Sequence, residues 1–379
     1  MVLFSVFHPQ RKALRTPLGR HKSYRENTTT MESTQSGGAL PPQAAVMQMV
    51  MGAWVSQTIS SVTRLDIPDL LQQHGPLTAS QLTSAHGVAA SPEFLHRVLR
   101  ACASAGIFTE DADGRFGPTP LSEVLTASSA ASLKKLVEVF GGLWWRVWTG
   151  LPEALGEGAP QAKARLGMEY WDYLNAHPKD MEDFGEAMKS NSAASMLGVI
   201  EHCDFSSARK VVDVGGGLGH MAIELLRRNP QLTASVVDLE DLIPIAHKHA
   251  ESVEPDVLAR LSFVGGDMFA DVPAGDRYIL KHIIHDWDDD RCIRLLQNCR
   301  ARMEGDGRVY CVDAVLPPLG NTAAGPSKFL DINIMLFIPG RERTEAEWRQ
   351  LYYEAGLEVV SIVPLHDNFG TSIVEGTRR

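Results

Sequence analysis

Residues 210–220 read KVVDVGGGLGH, and this stretch decides the fold of the 379-residue chain. An apolar β-branched run, an acid and closely spaced glycines precede a helical pattern from Met221 to Asn229, which predicts a strand turning sharply into a helix. Glycine is needed where the backbone takes a positive φ or comes within contact distance of a ligand. Because the first amides of a helix have unpaired N–H groups that face such a ligand, the loop predicts a nucleotide-like cofactor.

Two glycine fingerprints overlap in this loop. Residues 217–222 fit the dinucleotide pattern G-x-G-x-x-A, and Asp238 follows about 20 residues later, as that pattern requires. Residues 213–219 fit instead the acid-x-G-x-G-x-G loop of S-adenosylmethionine enzymes. A carboxylate is unfavourable beside a pyrophosphate but favourable beside the amino group of a methionine moiety. Asp213 therefore favours S-adenosylmethionine, while a glycine turn with a purely structural role stays open at this point.

Composition bounds the class of protein. A length of 379 residues with 44% hydrophobic content is enough for two domains with sizeable cores. The formal net charge of −10 argues against nucleic acid as a partner, since such binding needs a basic surface. No apolar run approaches the length of a membrane span, so no membrane partner is expected. The five cysteines form no C-x-x-C pair, which predicts reduced thiols in a cytoplasmic protein without disulfides or a zinc site.

The chain divides into four predicted segments. The first, residues 1–40, is basic at its start, with Glu26 as the single acid among the first thirty residues. It predicts either a transit peptide or a working start at Met31, and disorder in both cases. The other segments are a winged-helix-like dimerisation domain, a helical connector that contributes to the substrate pocket, and a Rossmann-like catalytic domain, over residues 41–150, 151–200 and 201–379.

The amino-terminal domain is predicted from one long helix, shorter helices and a hairpin. Apolar residues recur at three- and four-residue steps over residues 44–71, which predicts one amphipathic helix whose wide apolar face is shared with a second copy. Asp113-Gly114 is a favoured hairpin turn. A winged helix could bind DNA, but the helix in the recognition position offers only His96, Arg97 and Arg100. A homodimerisation platform is therefore expected.

Aromatic residues are concentrated between the two halves of the chain. Most are expected to form core between the domains, and one or two could face a flat apolar ligand, because pockets favour domain junctions. The next helical stretch raises the same possibility with Phe184, Met188 and Met196. The aromatic residues are Trp144, Trp145, Trp148, Tyr170, Trp171 and Tyr173.

After the glycine loop, strands alternate with helical patterns, which predicts a parallel, doubly wound α/β sheet. Its second to fifth strands are predicted over residues 234–238, 261–264, 277–280 and 308–312. Ligands of such sheets bind beyond the carboxyl ends of the strands. The polar residues near those ends are Asp213, Asp238, Asp267, Lys281, His285 and Asp313. Two further strand-like runs, 358–364 and 371–375, predict a terminal antiparallel hairpin, which S-adenosylmethionine enzymes have and dehydrogenases lack.

Four motifs occur in one order and carry a family resemblance. They are VVDVGGG at 211–217, GGDMF at 265–269, KHIIHDW at 281–287 and GRERT at 340–344. From about residue 45 onward the chain resembles the S-adenosylmethionine-dependent O-methyltransferases of small molecules, such as the caffeate, flavonoid, acetylserotonin and bacterial antibiotic enzymes. The resemblance implies a Rossmann-like sheet with a carboxy-terminal hairpin, a winged-helix dimerisation domain, S-adenosylmethionine as cofactor and a small hydroxylated, aromatic acceptor.

The resemblance also implies roles at the cofactor site. Gly215 would pack against the methionine part of the cofactor, and Lys281 would lie alongside it. Asp238 would accept hydrogen bonds from both ribose hydroxyls, with a helix cap as the alternative. Asp267 and Met268 would frame the adenine, the acid near its exocyclic amine and the thioether against the ring face. The full set of expected cofactor residues is Asp213, Gly215, Gly217, Asp238, Asp267, Met268 and Lys281.

His285 is the expected general base. A phenol has an ordinary pKa of about 10 and is little ionised at neutral pH, whereas a histidine with a pKa of about 6.5 can take its proton as the methyl group moves. The resemblance implies this role, with two flanking acids. Glu342 matches one acid, and Asp313 stands where the family's plant members have glutamate, so its reach is reduced. The alternative for His285 is that it helps to start the next helix.

The expected acceptor pocket joins Met188 of the connector to a region that the resemblance implies. Core packing is the alternative for each residue of that region, which comprises Phe329, Asn333, Met335 and Phe337. No metal is expected to be required. Within the family, C- or N-methylation and other uses of the same scaffold stay open. From other classes, Asp213 and the terminal hairpin disfavour a nicotinamide dehydrogenase, and the acidic charge disfavours a winged-helix regulator that senses S-adenosylmethionine.

Overall fold

Residues 40–126 form a helical unit with a small antiparallel sheet. The computed structural model describes residues 40–322, 325–365, 367 and 369–379. The predicted extension, residues 1–40, therefore lies outside the described residues except for Leu40. The elements of this unit are α1 (Pro42–Arg64), α2 (Ile67–His74), β1 (Leu77–Thr78), α3 (Ala79–Ala85), α4 (Pro92–Ser104), β2 (Thr109–Glu110), β3 (Arg115–Gly117) and α5 (Pro120–Glu123).

The prediction of one helix over residues 44–71 is wrong, because the helix is interrupted at Asp66. α1 ends at Arg64 and α2 begins at Ile67, and Asp66 between them has a φ of +55°. Pro68 explains the break. A proline has no N–H to donate to the carbonyl four residues earlier, and its ring clashes with that carbonyl, so the first helix cannot continue through Pro68. A proline does fit the first turn of a new helix.

The predicted winged-helix outline is confirmed. α3 and α4 precede a hairpin in which β2 and β3 pair antiparallel, and the turn holds Gly114 at a φ of +71°. β1 pairs with the other edge of β3, so the sheet has the order β1-β3-β2. The amphipathic stripe of α4 buries Leu95, Leu99 and Cys102.

Residues 127–379 form the second unit. Its strands are β4 (Lys210–Val214), β5 (Thr233–Asp238), β6 (Leu261–Gly265), β7 (Gly275–Lys281), β8 (Met303–Leu316), β9 (Arg343–Thr344), β10 (Leu357–Pro364) and β11 (Thr371–Arg378). Its helices are α6 (Lys134–Val139), α7 (Trp145–Trp148), α8 (Leu151–Glu157), α9 (Ala162–Leu166), α10 (Tyr170–Ala176), α11 (Pro178–His202), α12 (His220–Arg228), α13 (Ile243–Ala250), α14 (Pro255–Leu258), α15 (Asp289–Arg302), α16 (Ser327–Phe337) and α17 (Glu345–Glu354). A π-helical turn, Phe140–Trp144, joins α6 to α7.

The predicted doubly wound sheet is confirmed. Strands β4 to β8 are parallel in the spatial order β6-β5-β4-β7-β8, and the terminal hairpin continues the sheet with β11 and then β10. β11 is antiparallel to both β8 and β10. The carboxyl ends of the parallel strands meet at one rim, which is where the candidate site residues follow their strands.

The sheet is buried on both faces, because successive side chains of a strand point to opposite sides. Val212, Val214 and Leu280 pack on one face against α15 and α17, where Trp348 and Tyr352 are completely buried. The opposite face is covered by α11, α12 and α14, whose buried side chains pack against those of β4, β5, β7 and β8. In the described part of the chain, no helix is long and apolar enough to cross a membrane.

The boundary between the two units, Thr126/Ala127, differs from the predicted boundary at residue 150. The aromatic connector explains the difference. Trp144 and Tyr170 are buried in one cluster with Phe337 of α16, so residues 133–151 pack with the catalytic unit. Trp144 also donates a hydrogen bond from its indole nitrogen to the Tyr170 hydroxyl at 3.0 Å.

Candidate active site

His285 lies on a short loop that a buried arginine holds in place. Residues Ile284–Asp286 form a 3₁₀ turn between β7 and α15. Arg343, of which only 1% is exposed, donates hydrogen bonds to the carbonyls of Ile284 and Trp287, which flank His285 on either side. Gly340 packs so closely that a Cβ at its position would overlap the His285 carbonyl. The GRERT motif therefore shapes the loop as well as supplying Glu342.

The structure brings the three predicted catalytic residues together. Nδ1 of His285 lies 2.8 Å from Oε1 of Glu342, which is a hydrogen bond, and 3.6 Å from Oδ1 of Asp313. Glu342 reaches the imidazole from the segment before β9, and Asp313 from β8. The three side chains are buried, with exposures of 8% for His285, 2% for Glu342 and 0% for Asp313.

The sequence did not indicate that a third carboxylate lies at this imidazole. Oδ1 of Asp286 lies 3.4 Å from Nε2 of His285, on the side of the ring opposite to Glu342. Asp286 belongs to the HDW motif, which carried the signal, but adjacency in sequence does not tell on which side of a neighbour's ring a side chain lies. The imidazole therefore sits among three acids.

The acids reverse the effect of burial on His285. Burial alone lowers the pKa of an imidazole, but the charges of Glu342 and Asp313, with the hydrogen bond that His285 donates to Glu342, raise the pKa of His285 to about 10. This value is well above the ordinary histidine pKa of about 6.5. Burial also raises the pKa of Glu342 and of Asp313, and it raises the pKa of Asp286 to about 7.

Asp213 and Lys281 lie at the carboxyl ends of the neighbouring strands β4 and β7. Asp213 is 2% exposed, and burial raises its pKa to about 6. Burial lowers the pKa of Lys281, and the charge of Asp213 opposes that shift. Nζ of Lys281 donates a hydrogen bond to Oγ of Ser192 in α11 at 2.8 Å. The two predicted cofactor residues thus influence each other electrostatically.

The glycine loop leaves room for a ligand at one point. A Cβ on Gly215 would meet Ile283, a Cβ on Gly216 would meet Asp213, and a Cβ on Gly219 would meet Phe263. Gly217, at a φ of +59°, has nothing within 4 Å of such an atom. Its N–H donates to Oδ2 of Asp238 at 2.8 Å, which ties the predicted ribose acceptor to the loop.

The residues fit S-adenosylmethionine on three observations. Oδ2 of Asp213 is buried and has no hydrogen-bond partner among the described residues, so it is free for a cationic amino group. Gly217 supplies the open backbone position beside it. Each carboxylate oxygen of Asp238 already accepts one backbone N–H, from Gly217 and from Leu239, and each keeps a second lone pair for a hydroxyl.

The predicted adenine residues follow β6. Asp267 is exposed, and its Oδ1 accepts a hydrogen bond from the N–H of Phe269 at 2.9 Å. Met268 is half-buried against the core below α15, where its carbonyl accepts a hydrogen bond from Asn298. Gly266 between them and β6 has open space around it.

The predicted acceptor residues do not converge on one surface. Phe337 is 4% exposed and packs between Trp144 and Tyr170, and Asn333 is 8% exposed and accepts a hydrogen bond from the Trp148 indole at 2.8 Å. Met188 is half-buried in the same cluster. Two other side chains of the set point to solvent, Phe329 at 68% and Met335 at 37% exposure.

A parallel sheet of this order, with an acid at the end of β4 and an open glycine loop, defines the class of S-adenosylmethionine-dependent methyltransferases. Residues 148–358 match the family model of the O-methyltransferase domain, and residues 47–128 match that of the O-methyltransferase dimerisation domain. The chain belongs to the O-methyltransferase family and is an enzyme that uses S-adenosylmethionine. This identification also excludes the nicotinamide alternative.

Three similar proteins illustrate the relationship. A phenazine O-methyltransferase of Lysobacter antibioticus is 33% identical over 91% of this chain and 99% of its own. A phenazine-1-carboxylate N-methyltransferase of Pseudomonas aeruginosa is 32% identical over 84% of this chain and 93% of its own. The crystal structure of an O-methyltransferase from neocarzinostatin biosynthesis, in complex with S-adenosylmethionine and 2-hydroxy-5-methyl naphthoic acid, superposes with a TM-score of 0.73 at 28% identity, over 86% of this chain and 96% of that one. The family is one of natural-product enzymes.

Gly217→Ala is expected to weaken cofactor binding more than it weakens the fold. The methyl group would project into the open space beside the loop, whereas a positive φ costs a non-glycine residue about 1–2 kcal/mol of unfolding free energy. Calorimetric titration with S-adenosylhomocysteine measures the binding. Gly158→Ala is the matched control, since Gly158 has a φ of +66° and equally open surroundings at the end of α8. Equal cofactor affinity in the two variants would contradict the role of Gly217.

Proposed function

We propose that this enzyme methylates a hydroxyl group of a small aromatic acceptor, with His285 as general base. The observation that carries the proposal is the buried 2.8 Å contact between His285 Nδ1 and Glu342 Oε1 at the carboxyl rim of the sheet. The names of the relatives support an aromatic acceptor, because one methylates a phenazine and another was solved with a naphthoic acid.

The hydrogen bond to Glu342 determines which nitrogen acts as the base. A neutral imidazole that donates its Nδ1–H to a carboxylate has its lone pair on Nε2. Nε2 of His285 would take the proton of the acceptor hydroxyl while the oxygen's electron pair forms the bond to the methyl carbon. When bound, S-adenosylmethionine supplies an electrophilic methyl group on a cationic sulfur, and cleavage of the methyl–sulfur bond leaves S-adenosylhomocysteine. Glu342 and Asp313 would stabilise the imidazolium that forms.

The raised pKa of His285 suits a phenolic hydroxyl. A phenol has an ordinary pKa of about 10, and the acids raise the pKa of His285 to about 10 as well. A proton therefore moves between the two groups at little free-energy cost. The consequence is that the resting imidazole holds a proton at neutral pH, so the productive complex, imidazolium beside phenolate, forms with release of one proton to water.

Release of S-adenosylhomocysteine, measured in a coupled assay against phenols, catechols, indoles and polyketides, tests the proposal. We expect turnover with at least one phenolic or catecholic acceptor, and a product whose mass and NMR spectra place the new methyl group on oxygen. A product methylated on carbon or nitrogen would overturn the hydroxyl acceptor. The panel also identifies the acceptor, whose recognition depends on side chains from distant segments.

One observation favours a second candidate, N-methylation, since a relative at 32% identity bears that name. An uncharged aromatic nitrogen already has a lone pair and needs no base. Replacement of His285 therefore distinguishes the two candidates. It would slow O-methylation but would leave N-methylation of a neutral nitrogen nearly unchanged.

A second copy of this chain is the proposed partner of α1. This helix exposes large apolar side chains over its first half, with Val46 at 57%, Met49 at 78% and Trp54 at 69% exposure. Isolated apolar side chains are normal on a surface, but a contiguous row of them marks an interface. The match to the dimerisation domain, over residues 47–128, supports a homodimer through this face.

Trp54→Glu is expected to shift the enzyme from dimer to monomer. Loss of a buried aromatic anchor in an interface costs about 2 kcal/mol or more, which is roughly 30-fold in the dissociation constant. Light scattering coupled to size exclusion across a dilution series measures the shift. Gln73→Glu is the control, because Gln73 is exposed on α2, outside the apolar row of α1. A Trp54 variant that stays dimeric at every dilution would exclude this face.

The cysteines support a cytoplasmic location. Cys102, Cys203, Cys292, Cys299 and Cys311 are all free and buried. Thiols that stay unpaired are typical of reducing compartments. We therefore place the enzyme in the cytoplasm, and cell fractionation followed by detection with an antibody tests that location.

A further inference from the structure

A second histidine, His282, lies beside the proposed base and has no part in the proposed function. In the described part of the chain, His282 and Asp66 are the non-glycine residues with a positive φ, at +56° and +55°. Histidine adopts this left-handed conformation more readily than most residues but still at a cost. The conformation places the His282 ring nearly parallel to that of His285, with 5.5 Å between the ring centroids and 26° between the planes.

Both imidazoles face one buried carboxylate. Oδ1 of Asp313 lies 3.8 Å from Nδ1 of His282 and 3.6 Å from Nδ1 of His285. Asp313 is completely buried, and neither of its oxygens has a hydrogen-bond partner among the described residues. Nε2 of His282 is also buried and has no hydrogen-bond partner among the residues that the structure describes. Buried polar atoms without partners are unfavourable, so an additional ligand that met them would be stabilised.

The three side chains form a ligand set for a transition metal. One nitrogen of His282, one nitrogen of His285 and one oxygen of Asp313 lie within 4.8 Å of one another. Tetrahedral zinc with bonds of about 2.0–2.1 Å requires ligand atoms about 3.4 Å apart, so the most widely separated pair would approach by up to about 1.4 Å. Two imidazoles and a carboxylate suit zinc, cobalt and nickel, whereas magnesium and calcium prefer oxygen ligands alone.

We propose that His282, His285 and Asp313 bind a divalent transition metal such as Zn²⁺, and that the bound ion inhibits methyl transfer. A metal on Nδ1 of His285 replaces the proton that this nitrogen donates to Glu342. The remaining proton of the neutral ring is then on Nε2, the atom that would accept the acceptor's proton. The bound ion thus removes the base, and its binding releases protons to water.

Co²⁺ absorption gives a readout that does not depend on turnover. Enzyme freed of metal with a chelator is titrated with Co²⁺, and a visible absorption band that saturates at one equivalent is expected for ligation by the histidines. Zn²⁺ should displace the Co²⁺ and remove the band. His282→Asn tests the assignment, since asparagine tolerates the same left-handed backbone but leaves the set one ligand short.

In the His282→Asn enzyme the band should be lost, and the Zn²⁺ concentration for half-inhibition should rise about 10–100-fold or more, which is the loss seen even for outer-shell substitutions. His247→Asn is the matched control, because His247 is exposed on α13. A Co²⁺ band of unchanged strength in His282→Asn, or equal zinc inhibition in wild type and this variant, would overturn the proposal. The absorption titration measures metal binding without any acceptor. A failed metal proposal can therefore be distinguished from a failure of the proposed function.

Discussion

Replacement of His285 by alanine is expected to lower kcat for a phenolic acceptor about 10²–10⁴-fold, the range that a general base contributes. Affinity for S-adenosylhomocysteine should change little, because the polar contacts of the imidazole are to Glu342, Asp313 and Asp286 and not to the glycine loop. Stopped assays at saturating cofactor measure kcat, and calorimetry measures the affinity.

Two controls separate the loss of a base from the loss of structure. The alanine variant leaves buried carboxylates unpaired, which destabilises the fold by itself. His285→Asn supplies a side-chain N–H for Glu342 but cannot accept the proton, so it should be as slow as the alanine variant and more stable. A phenol with electron-withdrawing groups, already ionised at the assay pH, should lose much less rate. Wild-type turnover in either variant, or a collapse of cofactor affinity, would refute the role of His285 as base.

Replacement of Glu342 by glutamine should move the pH profile of kcat/KM by several pH units. The negative charge of Glu342 is the first of the effects that raise the pKa of His285, against burial, to about 10. In the wild type, kcat/KM is therefore expected to rise with pH up to about 10. Removal of the charge destabilises the imidazolium, so the rising limb moves down toward the ordinary histidine value of about 6.5. The plateau rate should fall, because the protonated base is less stabilised in the transition state.

The acceptor's own ionisation cannot imitate this result, since a phenol's pKa is not altered by a substitution in the free enzyme. Asp313→Asn is the matched comparison. Its carboxylate lies 3.6 Å from His285 Nδ1 instead of 2.8 Å, so the limb should move in the same direction but by less. An unmoved limb in Glu342→Gln would mean that Glu342 does not control the protonation of His285.

The elements that sequence predicted well are those with a local signal. β5 to β7 have apolar runs bounded by glycine or acid, and their observed bounds lie within two residues of the predicted ones. β8 starts five residues earlier than predicted, at Met303, because Met303 pairs with Gly275 of β7 beyond an irregular stretch, Glu304–Gly307, that carries no strand pattern. The break at Asp66 has a local signal as well, Pro68, which the helical periodicity outweighed.

At the candidate base, the proximity of Glu342 and Asp313 to His285 was predictable from the family resemblance, but the position of Asp286 and the electrostatics were not. The pKa of His285 depends on distances between three separate segments. Arg343 had a visible signal as part of the GRERT motif. Its burial and its hydrogen bonds to the loop carbonyls arise only when β9 pairs beside β8. The acceptor pocket was least predictable, because periodicity along α16 does not reveal that Phe337 faces the core while Phe329 faces solvent.

The place of β11 in the sheet has a consequence for how the enzyme is made. β11 is the last strand in sequence, yet it lies between β8 and β10, and its Ser372 is opposite Asp313. On the ribosome, one edge of β8 stays uncovered until residues 371–378 have emerged, although the amino-terminal unit can complete its folding much earlier. An uncovered apolar edge is prone to aggregation, so a nascent chain that stalls before residue 371 is expected to need chaperone protection.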